Sequence, residues 1–190
     1  LNGMFAFAFW DREAKQLVLA RDRVGEKPLY YGHSRGVFLF GSELKALREH
    51  PRWNGAIDRG ALTLYLQYNN VPSPYSIYQN VFKLPPAHYL VVGESDACLS
   101  EPICYWDLGE IAEQGVKSAE HDFDRLTDEF DGLLRDAITR RTISDVPLGA
   151  MLSGGYDSAT VVALMQAQSR RPVKTFSIGF HERGYNEAEH

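Results

Sequence analysis

Six consecutive residues, Ser153-Gly154-Gly155-Tyr156-Asp157-Ser158, place two hydroxyls, two glycines and one carboxylate at a spacing suited to holding a phosphate. Adjacent glycines let the backbone turn sharply and come close to an anion. The free N–H groups at the start of a following helix then point at the phosphate oxygens. Ser153 and Ser158 supply hydroxyl donors to the same oxygens. Asp157 would repel a bare phosphate, so its presence points to a divalent cation bridging carboxylate and phosphates. The loop Gly-x-x-x-x-Gly-Lys-Ser/Thr is a different pattern, because no lysine stands here. The plain alternative is an ordinary Gly-Gly turn before a helix capped by Asp157 or Ser158.

Such a loop needs a strand before it and a helix after it. Val146-Pro147-Leu148-Gly149-Ala150-Met151-Leu152 is a short apolar run and reads as a buried strand. Ala159-Thr160-Val161-Val162-Ala163-Leu164-Met165-Gln166-Ala167 reads as the helix, and residues 173–180 read as a second strand. Upstream, Phe123, Leu126, Phe130, Leu133, Leu134, Ala137 and Ile138 recur at helical spacing and predict a long helix over 118–142. Helix, strand, helix, strand is the opening of a doubly wound parallel sheet.

The first ~107 residues have another character, mainly antiparallel β with small helices. Residues 3–10 alternate large and small side chains, Asp11-Arg12-Glu13-Ala14-Lys15 is a polar hairpin turn, and 16–22 is the return strand. Residues 29–32 and 36–41 form a second expected hairpin. Ser42 is placed as the N-cap of a short helix, and 58–68 reads as another helix. Pro72, Pro74, Pro85 and Pro86 punctuate a loop-rich stretch before a strand at 88–92. Residues 109–121 are polar without strong periodicity and suit a linker. The charged run Arg21-Asp22-Arg23 with Glu26-Lys27 reads as a turn held by ion pairs, with Gly25 and Pro28 fixing the backbone.

Bulk properties exclude several classes. The chain has 190 residues, a net charge of −5, 44% hydrophobic and 24% charged residues, which is the make-up of a globular protein. No apolar run approaches the ~18 residues of a membrane span, and no signal peptide is visible. The acidic balance without a basic aromatic patch argues against nucleic acid. Cys98 and Cys104 make no disulfide framework or metal set, so they read as ordinary thiols of a cytoplasmic protein. His181 and His190 bracket a polar segment that reads as solvated loop. The first residue is Leu1, and both ends read as cut from a longer chain.

The loop at 153–158 resembles the pyrophosphate-binding Ser-Gly-Gly-x-Asp-Ser of the N-type ATP pyrophosphatases. The wider chain resembles the glutamine-dependent asparagine synthetase family over nearly its whole length. The likeness is carried by residues 3–8 with 20–31, by Ser42-Glu43-Leu44-Lys45-Ala46-Leu47, by Leu84-Pro85-Pro86-Ala87-His88-Tyr89, and by 144–158 with 175–180. It implies an α/β (α+β) chain in two parts. Residues 1–108 would be the later part of a β-rich, N-terminal-nucleophile glutamine amidotransferase domain, 109–118 a linker, and 119–190 the start of a doubly wound ATP-pyrophosphatase synthetase domain.

The resemblance also implies chemistry. One domain releases ammonia from glutamine with an N-terminal cysteine, which lies before the matching region, so no catalytic residue is expected here and no glutamine hydrolysis by this chain. The other adenylylates a carboxylate with ATP and Mg²⁺. Carried over by position, Ser153, Gly154, Gly155, Asp157 and Ser158 hold pyrophosphate and metal, and Leu152 and Ile178 contact the adenine nucleotide. Glutamine, aspartate and ATP are the implied partners, and a homodimer is admitted. Tyr156, Ala159 and Ala87 stand where the family commonly has an aliphatic residue, serine and glycine. A related amidotransferase acting on a sugar acid, and a non-catalytic nucleotide-binding module, are the alternatives.

Overall fold

The structure is a computed structural model that describes residues 1–93, 100–117 and 122–181. The chain divides into two units, Leu1–Ser118 and Ala119–His190. Cys98 and His190 lie outside the described residues.

Among the described residues, the first unit holds two antiparallel sheets. β1 (Ala6–Asp11), β2 (Gln16–Arg21), β6 (His88–Gly93) and β7 (Ile103–Cys104) form one, in the order β1-β2-β6-β7. β3 (Tyr30–Ser34), β4 (Val37–Gly41) and β5 (Val81–Lys83) form the other, in the order β4-β3-β5. The β1–β2 turn closes because the Asp11 carboxylate accepts from the N–H groups of Glu13 (2.9 Å) and Ala14 (3.0 Å). Leu19, Leu29, Tyr31, Leu84, Leu90 and Val92 make one buried cluster that draws on both sheets. Each fully buried leucine there contributes about 1.5–3 kcal/mol of transfer free energy. Gly32 is required by closeness: a Cβ at this site would stand 2.0 Å from the Asn80 carbonyl oxygen, where β3 meets β5.

The helices of this unit are α1 (Leu44–Arg48), α2 (Arg59–Tyr68) and α3 (Leu108–Lys117). Asp58 caps α2 by accepting from the Ala61 N–H at 3.0 Å. Ser42 does not cap α1, whose N-cap is Glu43 without a side-chain bond. Glu43 instead pairs with Lys45 at 2.6 Å. The stretch expected to be a linker is helical: Leu108, Ile111, Ala112 and Val116 share one face of α3.

The second unit runs α4 (Phe123–Arg141), β8 (Gly149–Met151), α5 (Tyr156–Ala167) and β9 (Lys174–Phe176). The Asp122 carboxylate caps α4 through the Arg125 N–H at 3.1 Å, so the helix begins later than expected. β8 and β9 pair in parallel, Ala150 opposite Thr175 and Met151 opposite Phe176, with α5 as the crossover. The expected buried strand over 146–152 is shorter and more exposed. Pro147 has no N–H to give a ladder, and with β9 as its neighbour β8 leaves Met151 59% exposed. No described helix is long and apolar enough to cross a membrane.

Candidate phosphate-binding site

The loop leaves the carboxyl end of β8 and enters α5 directly. Its root is tied to the neighbouring strand: the Leu152 N–H donates to the Phe176 carbonyl (2.8 Å), and the Ser177 hydroxyl donates to the Leu152 carbonyl (2.7 Å). Gly154 then turns the chain at φ +62, a left-handed conformation that favours glycine. Gly155 is the N-cap of α5 and has no side chain to cap it. The N–H groups of Tyr156, Asp157 and Ser158 therefore open the helix without an intrahelical acceptor. The first bond of the ladder is Ala159 N–H to the Gly155 carbonyl at 3.1 Å.

The two serines meet across the turn. Their hydroxyl oxygens lie 3.0 Å apart and share a hydrogen bond. Ser158 Oγ also accepts from the Ser153 N–H (3.2 Å) and lies 3.1 Å from the Gly155 carbonyl, to which it donates. Neither Asp157 nor Ser158 caps the helix through a bond to its first N–H groups, so the plain alternative of a self-capped turn is not what forms. The first turn sets uncapped amides beside the two clustered hydroxyls, with Ser153 and Asp157 exposed and Ser158 half-buried.

Asp157 carries the charge of this site, and it is exposed. No group of three or more His, Cys, Asp or Glu that could hold a metal by itself occurs among the described residues. A single carboxylate still fits Mg²⁺, which is held by one or two carboxylates with waters and substrate phosphates completing the octahedron. Leu152 and Ile178 lie just past the adjacent carboxyl ends of β8 and β9, where open α/β sheets place their ligands. Leu152 is half-buried and Ile178 is 60% exposed, so Ile178 is not a core residue of this unit. Tyr156, at the first helical position, is 94% exposed.

The second charged cluster, at 21–27, is a turn in which the side chains of Asp22 and Arg21 bond backbone groups. Asp22 is fully buried. Its carboxylate accepts from the N–H groups of Glu26 (2.9 Å), Lys27 (3.0 Å), Phe5 (3.3 Å) and Val24 (3.3 Å). Burial pushes this carboxyl up, but the N–H groups of Lys27, Glu26, Phe5 and Gly25 outweigh it and hold the pKa below the ordinary aspartate value. The Arg21 guanidinium donates to the carbonyls of Lys27 (2.7 Å), Leu84 (2.7 Å) and Gly25 (2.8 Å). The Tyr105 hydroxyl donates to the Arg21 carbonyl at 2.7 Å. The Arg23 guanidinium lies 5.4 Å from the centre of the Trp106 ring. These residues serve the backbone, and the signal that would have found them is a buried Asp ahead of a glycine turn with several free N–H groups. Cys104 is exposed and donates to the Trp106 carbonyl at 3.3 Å.

Residues 1–106 match a family described as glutamine amidotransferase domain, and residues 129–190 match one described as asparagine synthase. The first match alone covers more than half of the chain, and with the second following it the chain belongs to the glutamine amidotransferases of the asparagine synthetase family. Among its relatives, a putative asparagine synthetase [glutamine-hydrolyzing] 2 of Methanocaldococcus jannaschii is 39% identical over 98% of this chain and 35% of that protein. Asparagine synthetase [glutamine-hydrolyzing] 3 of Bacillus subtilis is 34% identical over 96% of this chain and 29% of its own length. Amidase chry2 of Gibberella zeae is 33% identical over 87% of this chain and 23% of its own length. The chain thus spans about a third of the length of the curated relatives it matches.

Proposed function

We propose that this chain belongs to a glutamine-hydrolysing asparagine synthetase, and that Ser153, Gly154, Gly155, Asp157 and Ser158 hold the pyrophosphate portion of ATP. The observation that carries the reading is the uncapped start of α5: its first amides, the paired hydroxyls of Ser153 and Ser158, and an exposed carboxylate stand together at the carboxyl end of a parallel strand pair. Leu152 and Ile178 flank that position and form the apolar contacts for the nucleotide. The names of the relatives point to glutamine as the ammonia source and to asparagine as product. Aspartate is then the acceptor.

A carboxylate resists amines because it has a poor leaving group. Attack of its oxygen on the α-phosphorus of ATP expels pyrophosphate and makes an acyl-adenylate. Ammonia then adds to the acyl carbon and AMP departs, leaving the amide. The residues of the loop act on the departing pyrophosphate: amides and hydroxyls donate to its oxygens as negative charge builds there. Mg²⁺ held by Asp157 would neutralise part of that charge.

The test is Asp157→Ala in the full-length protein, with Mg²⁺-dependent pyrophosphate release as the readout. A fall of about 100-fold or more is expected for loss of a group that stabilises the leaving charge; an unchanged rate refutes the reading. In a second reading the acceptor is another carboxylate such as a sugar acid; the relatives include a protein named as an amidase, so their names are not confined to asparagine synthetases. Amide formation from aspartate but not from glucuronate under the same conditions decides for aspartate.

A further inference from the structure

At the opposite, amino ends of β8 and β9, the second unit has a cavity of about 470 Å³ between the last turns of α4 and α5 and the turn at 168–173. That volume suits a small ligand. Its apolar lining includes Ile138, Met165 and Val173, and Arg170, Arg171 and Lys174 also line it. Among the described residues, no carboxylate lines it and none of the three cations has a carboxylate partner. By contrast, Arg135 and Arg140 on α4 are matched by Asp131 (2.6 Å) and Asp136 (2.7 Å).

Two further facts shape this cavity. The turn that carries the arginines is fixed: the Ser169 hydroxyl donates to the Arg171 carbonyl (2.8 Å), and the Val173 N–H donates to the Gln166 side-chain oxygen (3.0 Å). Gln168 bonds across to α4, through the Thr139 hydroxyl and by donating to the Arg135 carbonyl at 3.4 Å. The C-terminal ends of α4 and α5 also face this region and attract cations, each with the effect of about half a negative charge. Three side-chain cations exceed the roughly one charge that two helix ends can balance. A positive surplus therefore remains over an apolar floor.

We propose that this cavity is a binding site for a small amphipathic acid, its carboxylate or phosphate head held by Arg170, Arg171 and Lys174 and its apolar body on Ile138, Met165 and Val173. Guanidinium pairs favour such planar or tetrahedral oxyanions through two-pronged hydrogen bonds. The site is separate from the loop at 153–158, since it lies at the other ends of the same strands.

Calorimetric titration of the whole chain with octanoate, octanol and inorganic phosphate tests it. Octanoate is expected to bind at least tenfold more tightly than octanol or phosphate, and Arg171→Gln/Lys174→Gln is expected to weaken octanoate about tenfold. All three cations are exposed, so the variant is expected to keep its circular dichroism and unfolding midpoint. Asp157→Ala is expected to leave octanoate binding unchanged, which separates this result from the fate of the proposed function. Equal binding of octanol and octanoate, equal binding of phosphate and octanoate, no binding, or an unchanged affinity in the double variant would each overturn the assignment.

Discussion

Removing the Asp22 carboxylate tests the account of the 21–27 turn most directly. Asp22→Ala strips the acceptor from four backbone N–H groups around a fully buried position. Hydrogen bonds to a charged group contribute about 1.5–3 kcal/mol each. Counting only the two shorter ones, from Glu26 (2.9 Å) and Lys27 (3.0 Å), gives about 3–6 kcal/mol. Removing the charge also removes its desolvation cost, so about 3–5 kcal/mol is the expected net loss. With a urea dependence of about 2 kcal/mol per molar, the unfolding midpoint falls by about 1.5–2.5 M. Tryptophan fluorescence reports it, because Trp10, Trp53 and Trp106 all lie in the first unit. Asp22→Asn keeps one acceptor oxygen and is expected to fall between wild type and alanine, which guards against an alanine variant too unstable to measure. A loss below about 1 kcal/mol for Asp22→Ala would refute the idea that these N–H groups depend on the carboxylate.

The same carboxylate makes stability depend on pH. Its pKa is lowered in the folded state, so its contribution is complete above the unfolded value of about 3.9 and is lost as pH falls from there through the folded pKa; urea midpoints measured between pH 6 and pH 2.5 should drop in that window, and less so in Asp22→Asn. Gly32→Ala sets a Cβ against the Asn80 carbonyl oxygen at 2.0 Å and the Val81 Cα at 2.8 Å, both backbone, so β3 and β5 must separate; a loss of about 3 kcal/mol or more is expected by chemical denaturation, and a loss under 1 kcal/mol counts against this register. Gly154→Ala forces a side chain into φ +62 and should destabilise the second unit by about 1–2 kcal/mol. Gly155→Ala, at φ −81 with its nearest contact at 3.6 Å, should cost much less, and equal effects would contradict the turn geometry.

Some of this molecule could be read directly from the residues, for identifiable reasons. The loop stood out because glycines, hydroxyls and an acid fall in one short run between an apolar strand and an apolar helix. α4 was visible through its repeating apolar positions, although its start is set by the Asp122 cap and not by the pattern. β5 escaped notice: it is three residues long, follows Asn80 in a left-handed conformation, and exists because β3 pairs with it from far along the chain. α3 was hidden by its polar composition, since its few apolar residues show as a face only when wound at 3.6 per turn. The 21–27 turn is legible as structure, but its partners are not, for a different reason. Sequence displays charges, and charges suggest one another as partners. It does not display the amide N–H and carbonyl groups that converge on Asp22 and Arg21 once the chain has turned.

The hydroxyl contact between Ser153 and Ser158 has a thermodynamic consequence. An oxyanion bound there as proposed would not find these groups idle, because they already satisfy each other and the Gly155 carbonyl. Binding there is an exchange of partners, and the gain is the difference between the old bonds and the new. The amides at the start of α5 surrender only water. The enthalpy of association should therefore fall mainly to the backbone, while the serines set the shape of the empty turn. Replacing one of them would then alter how long the vacant loop keeps its form more than how tightly it grips.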